Sequence, residues 1–177
     1  MTHGFQTVID ALGVRLYRVA ANHGNADAQR SLGIIYDTGR GVPQDDAEAV
    51  RWFRLAADQG HADAQFNLGF RYDLGRGVPQ DYVEAMRWYR LAADQGHANA
   101  LKNLGTTYLS GDGVPQDYVQ AHMWYSLWAS RQTGDFSDNA LVTRDIVAGL
   151  MTPTQIAEVQ RLAHEWDAAH PLSPRLR

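Results

Sequence analysis

From residue 26 onward, apolar residues return every third or fourth position, and the whole pattern restarts twice. Ala28, Leu32 and Tyr36 share one face of a helix, as do Ala64, Leu68, Tyr72 and Ala100, Leu104, Tyr108. A second stripe, Ala49, Trp52, Phe53 and Ala56, returns as Ala85, Trp88, Tyr89 and Ala92, then as Ala121, Trp124 and Tyr125. Leu55 and Ala57 widen that stripe until the helix is apolar on most sides, as a helix sandwiched between neighbours must be. Each unit therefore reads helix A, loop, helix B, and the period is 36 residues. A period in this range marks a stacked array of repeats. Gly33, Gly69 and Gly105 sit inside helix A, where glycine costs about 1 kcal/mol against alanine. Their reuse predicts a close approach by a neighbouring helix.

The loop between the helices reads GRGVPQD at 39 and at 75, and GDGVPQD at 111. Gly39 falls just past helix A, where a left-handed C-cap suits glycine. Gly41 gives a second permissive position, and Pro43 stops the helix from running on. Asp45 caps helix B, with Glu48 completing a capping-box pattern that Asp81 with Glu84 and Asp117 with Gln120 repeat. A phosphate cradle would need a preceding strand and a Gly-Lys-Ser/Thr ending, and neither is present. The loop is punctuation.

The ends differ from the repeats. Residues 5–22, beginning at Phe5, read as a lone helix B, with Tyr17 in the place of Phe53, Ala20 and Ala21 in those of Ala56 and Ala57, and Leu16 in that of Trp52. Trp128 replaces the alanine of the third helix B, so a different element must cover it. Residues 138–150 and 153–168 are the two candidate capping helices. The second opens with Thr152 as cap, Pro153 at the first helical position and Gln155 closing the box. Its stripe of Ile156, Val159, Ala163 and Trp166 is one-sided, as a cap requires. The expected architecture is all-α: nine helices and no strand, in a single domain whose units span about 26–61, 62–97 and 98–133.

Composition narrows the function. A net charge of −4, with both signs mixed, leaves no basic stripe for nucleic acid. Lys102 is the only lysine among 16 basic residues. With no cysteine there are no disulfides, thiolate zinc sites or cysteine nucleophiles. The opening MTHGFQTVID lacks a basic region followed by an apolar run, and no apolar run reaches bilayer length. The chain as written is expected to be soluble and cytoplasmic, or periplasmic or secreted if a leader has been removed. His61 and His97 occupy equivalent junctions where the first unit has Asn25, which points to capping rather than metal. His164 and His170 lie six apart, on opposite sides of a helix and not in zincin spacing, and are expected at the surface. No nucleophile elbow is visible. The expectation is a non-enzyme with no cofactor and no metal.

Residues 62–97, ADAQFNLGFRYDLGRGVPQDYVEAMRWYRLAADQGH, are similar to a Sel-one-like repeat, a relative of the tetratricopeptide repeat. The resemblance covers residues 26–132, and MTPTQIAEVQRLAHEW resembles the C-terminal helix of many bacterial members. It implies an α/α right-handed superhelix of antiparallel helix pairs whose A helices line a concave face. It also implies non-catalytic adaptor work in bacterial signalling, secretion and envelope processes or in eukaryotic membrane-protein degradation. Some cysteine-rich members are linked to penicillin binding or β-lactamase activity, which leaves a β-lactam-linked hydrolase or cell-wall-ligand binder as the alternative.

Stacking needs the letters the units share, so unshared letters on a common face are free for binding. Opposite the Leu32–Tyr36 face lie Arg30, Ile34 and Asp37, then Phe66, Phe70 and Asp73, then Lys102, Thr106 and Leu109, flanked by Ser31, Asn67 and Asn103. The resemblance places these on the concave side. Phe66 and Phe70, one turn apart between two cations, read as an aromatic anchor for a protein or peptide partner. The competing reading packs both rings against adjacent helices. The oligomeric state is left open, a monomer included.

Overall fold

The computed structural model describes residues 2–131 and 135–170, with side chains from 12–131 and 139–170. Phe5 and the end of the third unit, 132–133, lie outside the described residues in that sense. Nine α-helices and no strand occur among the described residues: α1 (Thr2–Asn22), α2 (Ala26–Thr38), α3 (Asp46–Asp58), α4 (Ala62–Leu74), α5 (Tyr82–Asp94), α6 (Ala98–Ser110), α7 (Tyr118–Ser130), α8 (Asp135–Ala148) and α9 (Pro153–Ala169). The chain divides into two compact units, Met1–Trp88 and Tyr89–Arg177. In the first, α2 packs on α1 and α3, and α3 on α4; in the second, α7 packs on α6, α8 and α9.

The loops close as their letters require. Gly39, Gly75 and Gly111 take left-handed conformations (φ 68°, 65° and 81°), each returning its N–H to the last turn of its helix. The Asp45, Asp81 and Asp117 amides then donate to the Tyr36, Tyr72 and Tyr108 carbonyls at 2.9–3.0 Å. Gln80 and Gln116 side chains satisfy the carbonyls of Asp73 and Leu109. The second loop glycine has a further role at Gly77: a Cβ there would stand 2.2 Å from the Asp46 carbonyl oxygen. One loop thus rests directly on the start of the preceding helix B.

The helical glycines mark the predicted close approach. A Cβ at Gly33 would stand 2.4 Å from the Phe53 ring, and one at Gly105 would stand 2.9 Å from Tyr125. In these two pairs the aromatic ring of helix B sits against the bare backbone of its own helix A. The core of the first unit gathers Ala49, Val50, Phe53, Ala56, Ala57, Ala64, Leu68 and Trp88. A neighbouring cluster joins Val14, Ala21, Ala28, Leu32 and Trp52.

Two expectations need correction. Asp45 and Asp117 cap their helices through backbone amides, but Glu48 and Glu84 do not close a box: each turns to an arginine three residues on, at 3.2 and 3.3 Å. The guanidinium one turn on offers each carboxylate a charge-assisted hydrogen bond in place of the cap amide. A reciprocal box forms at Thr152 and Gln155. Tyr17 and Leu16 are 44% and 66% exposed where Phe53 and Trp52 are buried, as suits an end unit with one missing neighbour. No helix among the described residues covers them as α2 covers Phe53. His170 is not a bare surface group, because its ring stacks on Trp166 at 4.3 Å and its Nε2 lies 3.5 Å from Asp94. His164 is exposed.

Candidate functional site

The junction residues act as caps. Asn25, His61 and His97 accept from the Ala28, Ala64 and Ala100 amides at 2.8, 3.4 and 3.3 Å. An accepting Nδ1 leaves the His61 proton on Nε2, which lies 3.1 Å from Asp27. Among the described residues, no group of three or more His, Asp or Glu is arranged to hold a metal.

The predicted binding positions fall on two helices of the first unit and one of the second. On α4, Phe66 is half-buried and Phe70 is 38% exposed, their rings nearly parallel (17°) with centroids 6.2 Å apart. Leu74, one turn further, is 48% exposed. Sequence reasoning missed Leu74, although the i, i+4, i+8 spacing from Phe66 was there to find it. Asn67 and Asp73 flank this stripe half-buried.

The α2 positions are more engaged than expected. Arg30 pairs with Asp63 at 3.3 Å, and Ile34 packs against the core of the first unit. Ser31 donates back to the Asp27 carbonyl. Asp37 contacts the Arg71 guanidinium closely and Arg76 at 3.5 Å, and Asp46 pairs with the same two arginines at 3.3 and 2.9 Å. Arg71 is 4% exposed, a buried cation between two carboxylates. This four-residue network was not anticipated.

The α6 positions belong to the second unit. Lys102 holds its ammonium 5.6 Å from the Trp128 ring centroid, which supplies part of the cover that bulky ring needs. Thr106 bonds the Lys102 carbonyl and the Tyr125 hydroxyl, at 3.1 and 3.0 Å. Burial pushes the Tyr125 phenol up. Asn103 and Leu109 are half-buried, and their carbonyls accept from Thr107 and Gln116.

Also in the second unit, Ser126 Oγ lies 3.2 Å from His122 Nδ1. The distance suits a nucleophile and its base, but Ser126 is inside α7, where backbone amides are spent on the helix and cannot form an oxyanion hole. Burial first, then the Arg144 charge, hold the His122 imidazole below its ordinary range, against Asp145, which raises it. A depressed histidine adds stability above its unfolded value of ~6.5, and loses it as pH falls through the lower folded value. We expect His122→Met to flatten the acid side of the stability–pH profile below the unfolded value of ~6.5. Parallel profiles for the two proteins would contradict that linkage.

Residues 26–61, 62–97 and 98–132 each match the family model described as Sel1 repeat. The crystal structure of a Sel1 repeat protein from Oxalobacter formigenes is similar, with 34% identity and a TM-score of 0.62, over 74% of this chain and 56% of that one. A protective antigen present in uropathogenic Escherichia coli strains, displaying an SLR fold, shares 30% identity at a TM-score of 0.64, over 89% of this chain and 41% of that one. The chain thus spans less than two thirds of either protein. No curated protein matches it. The nine helices and these neighbours together make the fold an all-α helical-repeat solenoid.

Proposed function

Because this chain belongs to the Sel1 repeat family, we propose that it is a non-catalytic protein-interaction module that binds a segment of another protein on the α2/α4 face. Repeats of this family generally mediate protein–protein interaction and are typically scaffolds. The observation carrying the finer reading is the α4 stripe of Phe66, Phe70 and Leu74, apolar side chains that repeat stacking does not reuse. Thr106 and Ser110 stand at the α6 equivalents of Phe70 and Leu74, so stacking tolerates polar groups there. A partly exposed aromatic pair with a polar rim concentrates binding energy when a partner desolvates it.

The rim differs from the one first expected. Arg30 and Asp37 are held by Asp63 and Arg71, so they enter as preorganised ion pairs rather than loose charges. Preorganised groups lose less freedom on binding. Lys102, Asn103, Thr106 and Leu109 hold the corresponding register on α6, within the second unit.

Truncating an interface aromatic costs ~2 kcal/mol or more. Changing Phe66 and Phe70 together to alanine is expected to weaken a partner captured from host extract by at least tenfold, with helicity unchanged by circular dichroism. Unfolding of the double variant would make the rings core. Unchanged capture by a folded variant would move the site elsewhere. Nitrocefin turnover by the wild-type chain would overturn the non-catalytic part.

A further inference from the structure

Three seams between a B-type helix and the next A-type helix close in the same way. Arg18 donates to the Tyr36 hydroxyl at 2.5 Å, Arg54 to that of Tyr72, and Arg90 to that of Tyr108 at 3.2 Å. In each pair the residues are eighteen apart. The tyrosine ring fills the seam and the arginine holds its hydroxyl. In the Arg54–Tyr72 seam the guanidinium also lies 5.6 Å from the ring centroid.

The fourth seam, between α7 and α8, breaks this pattern at both places. Ser126 stands where the arginine would be, and Arg144 stands where the tyrosine would be. One turn earlier on α7, the buried apolar place of Val14, Val50 and Met86 holds His122. Arg144 does not cross the seam to Ser126. It turns instead to Asp145, at 2.6 and 2.8 Å.

Among the described residues, a seam built for a ring thus holds no ring from α8 at the tyrosine's place. In its place lies a cleft of about 520 Å³, with His122 and Ser126 on one side and Arg144 at another. From α9, Gln160 adds an amide, and Val159 and Ala163 add apolar wall. We propose that this cleft binds a phenolic ring, the group that the other three seams carry as part of the chain. The ring would lie against Val159 and Ala163. Its hydroxyl would meet the polar end made by His122, Ser126 and Gln160.

The polar end suits an uncharged hydroxyl. Burial lowers the pKa of its imidazole and so favours the neutral ring, which offers one donor and one acceptor. When the Ser126 hydroxyl donates to Nδ1, the proton of the ring sits on Nε2 and can donate to a phenol oxygen. Because all the lining residues are in the second unit, this site stands or falls independently of the α4 stripe.

The test uses the whole chain with p-cresol as probe, toluene as the ring without hydroxyl, and N-acetyl-tyrosinamide as the side chain in peptide form. Titration followed by NMR should shift the His122 ring signals saturably with p-cresol, and at least fivefold more weakly with toluene. Binding of N-acetyl-tyrosinamide as well identifies a partner's tyrosine as the source, whereas p-cresol alone identifies a free phenol; both uphold the site. His122→Met restores the residue of Met86 and, in a folded protein, should abolish the saturable p-cresol shifts of the Val159 and Ala163 backbone amides, which do not depend on the imidazole as reporter. Ala163→Phe, which fills the cleft from α9, serves the same end if the first variant does not fold. An absent or non-saturating response, equal binding of toluene, or undiminished binding in the folded variants would overturn the proposal.

Discussion

Trp88→Ala is expected to destabilise the protein by ~3–5 kcal/mol, the range for removing a large buried ring and leaving a cavity. The ring is 4% exposed and packs among Val50, Phe53, Ala56, Ala57 and Leu68, with the Arg87 guanidinium 4.5 Å from its centroid. At ~2–4 °C per kcal/mol for a chain of this size, the melting temperature should fall by roughly 6–20 °C. The indole Nε1 has no hydrogen-bond partner, and the same is true of Trp52 and Trp124 at equivalent places. The repeated tryptophan is therefore kept for its area and not its polar atom. Trp88→Phe should accordingly cost far less, ~1–2 kcal/mol, because it gives up some area while removing an unsatisfied donor. A melting temperature within a degree or two of wild type for Trp88→Ala would refute the sandwiched helix.

The same logic explains how much of the fold could be read beforehand. Stacking imposes one set of letters on every unit, so Gly33, Trp52 and the GVPQD loop appear in triplicate and their roles follow from spacing. Even the partner of the helical glycine was nearly legible, since Phe53 and Gly33 recur together as Tyr125 and Gly105. Binding residues are the opposite case. They are the positions where repetition stops, and a single departure does not say whether a side chain points outward or finds a neighbour. Arg30 and Phe70 look alike by that criterion, yet one is held by Asp63 and the other is exposed. Lys102 is exposed, and its ammonium also lies over Trp128, a tryptophan at a place that only the last unit fills in this way.

Departures become informative when two of them coincide. Position 71 is arginine between Ile35 and Thr107 at the equivalent sites, and position 46 is aspartate where later units have Tyr82 and Tyr118. Both changes occur once, in adjoining units, and the two side chains meet at 3.3 Å. His122 and Ser126 are another such pair. Reading substitutions in pairs across units, rather than one face at a time, would have found both.

Arg71→Met should cost ~2–3 kcal/mol, a value set by opposing terms. Removing one partner of a buried ion pair costs ~3–5 kcal/mol, because the remaining charge is left uncompensated. Here the side chains of Asp37 and Asp46 are 25% and 34% exposed, and Arg76 still reaches both, so water and a second cation relieve part of that penalty. The guanidinium's own Nε lacks a partner, which lowers what the arginine contributes at the start. Methionine conserves the packing of the long stem against the core, where the Arg71 guanidinium lies 5.8 Å from the Phe53 ring centroid. The loss should thus be electrostatic, and neutralising the orphaned acids should recover it. In a double-mutant cycle, Asp37→Asn is expected to destabilise wild type but to leave Arg71→Met unchanged or stabilise it, with a coupling of at least ~1 kcal/mol. Because Asp37 lies on α2 and Arg71 on α4, this coupling would measure how firmly the network fixes the face that carries Phe66 and Phe70. Urea unfolding of the four proteins gives the cycle directly, and additive effects within ~0.3–0.5 kcal/mol would reduce the network to a set of independent surface pairs.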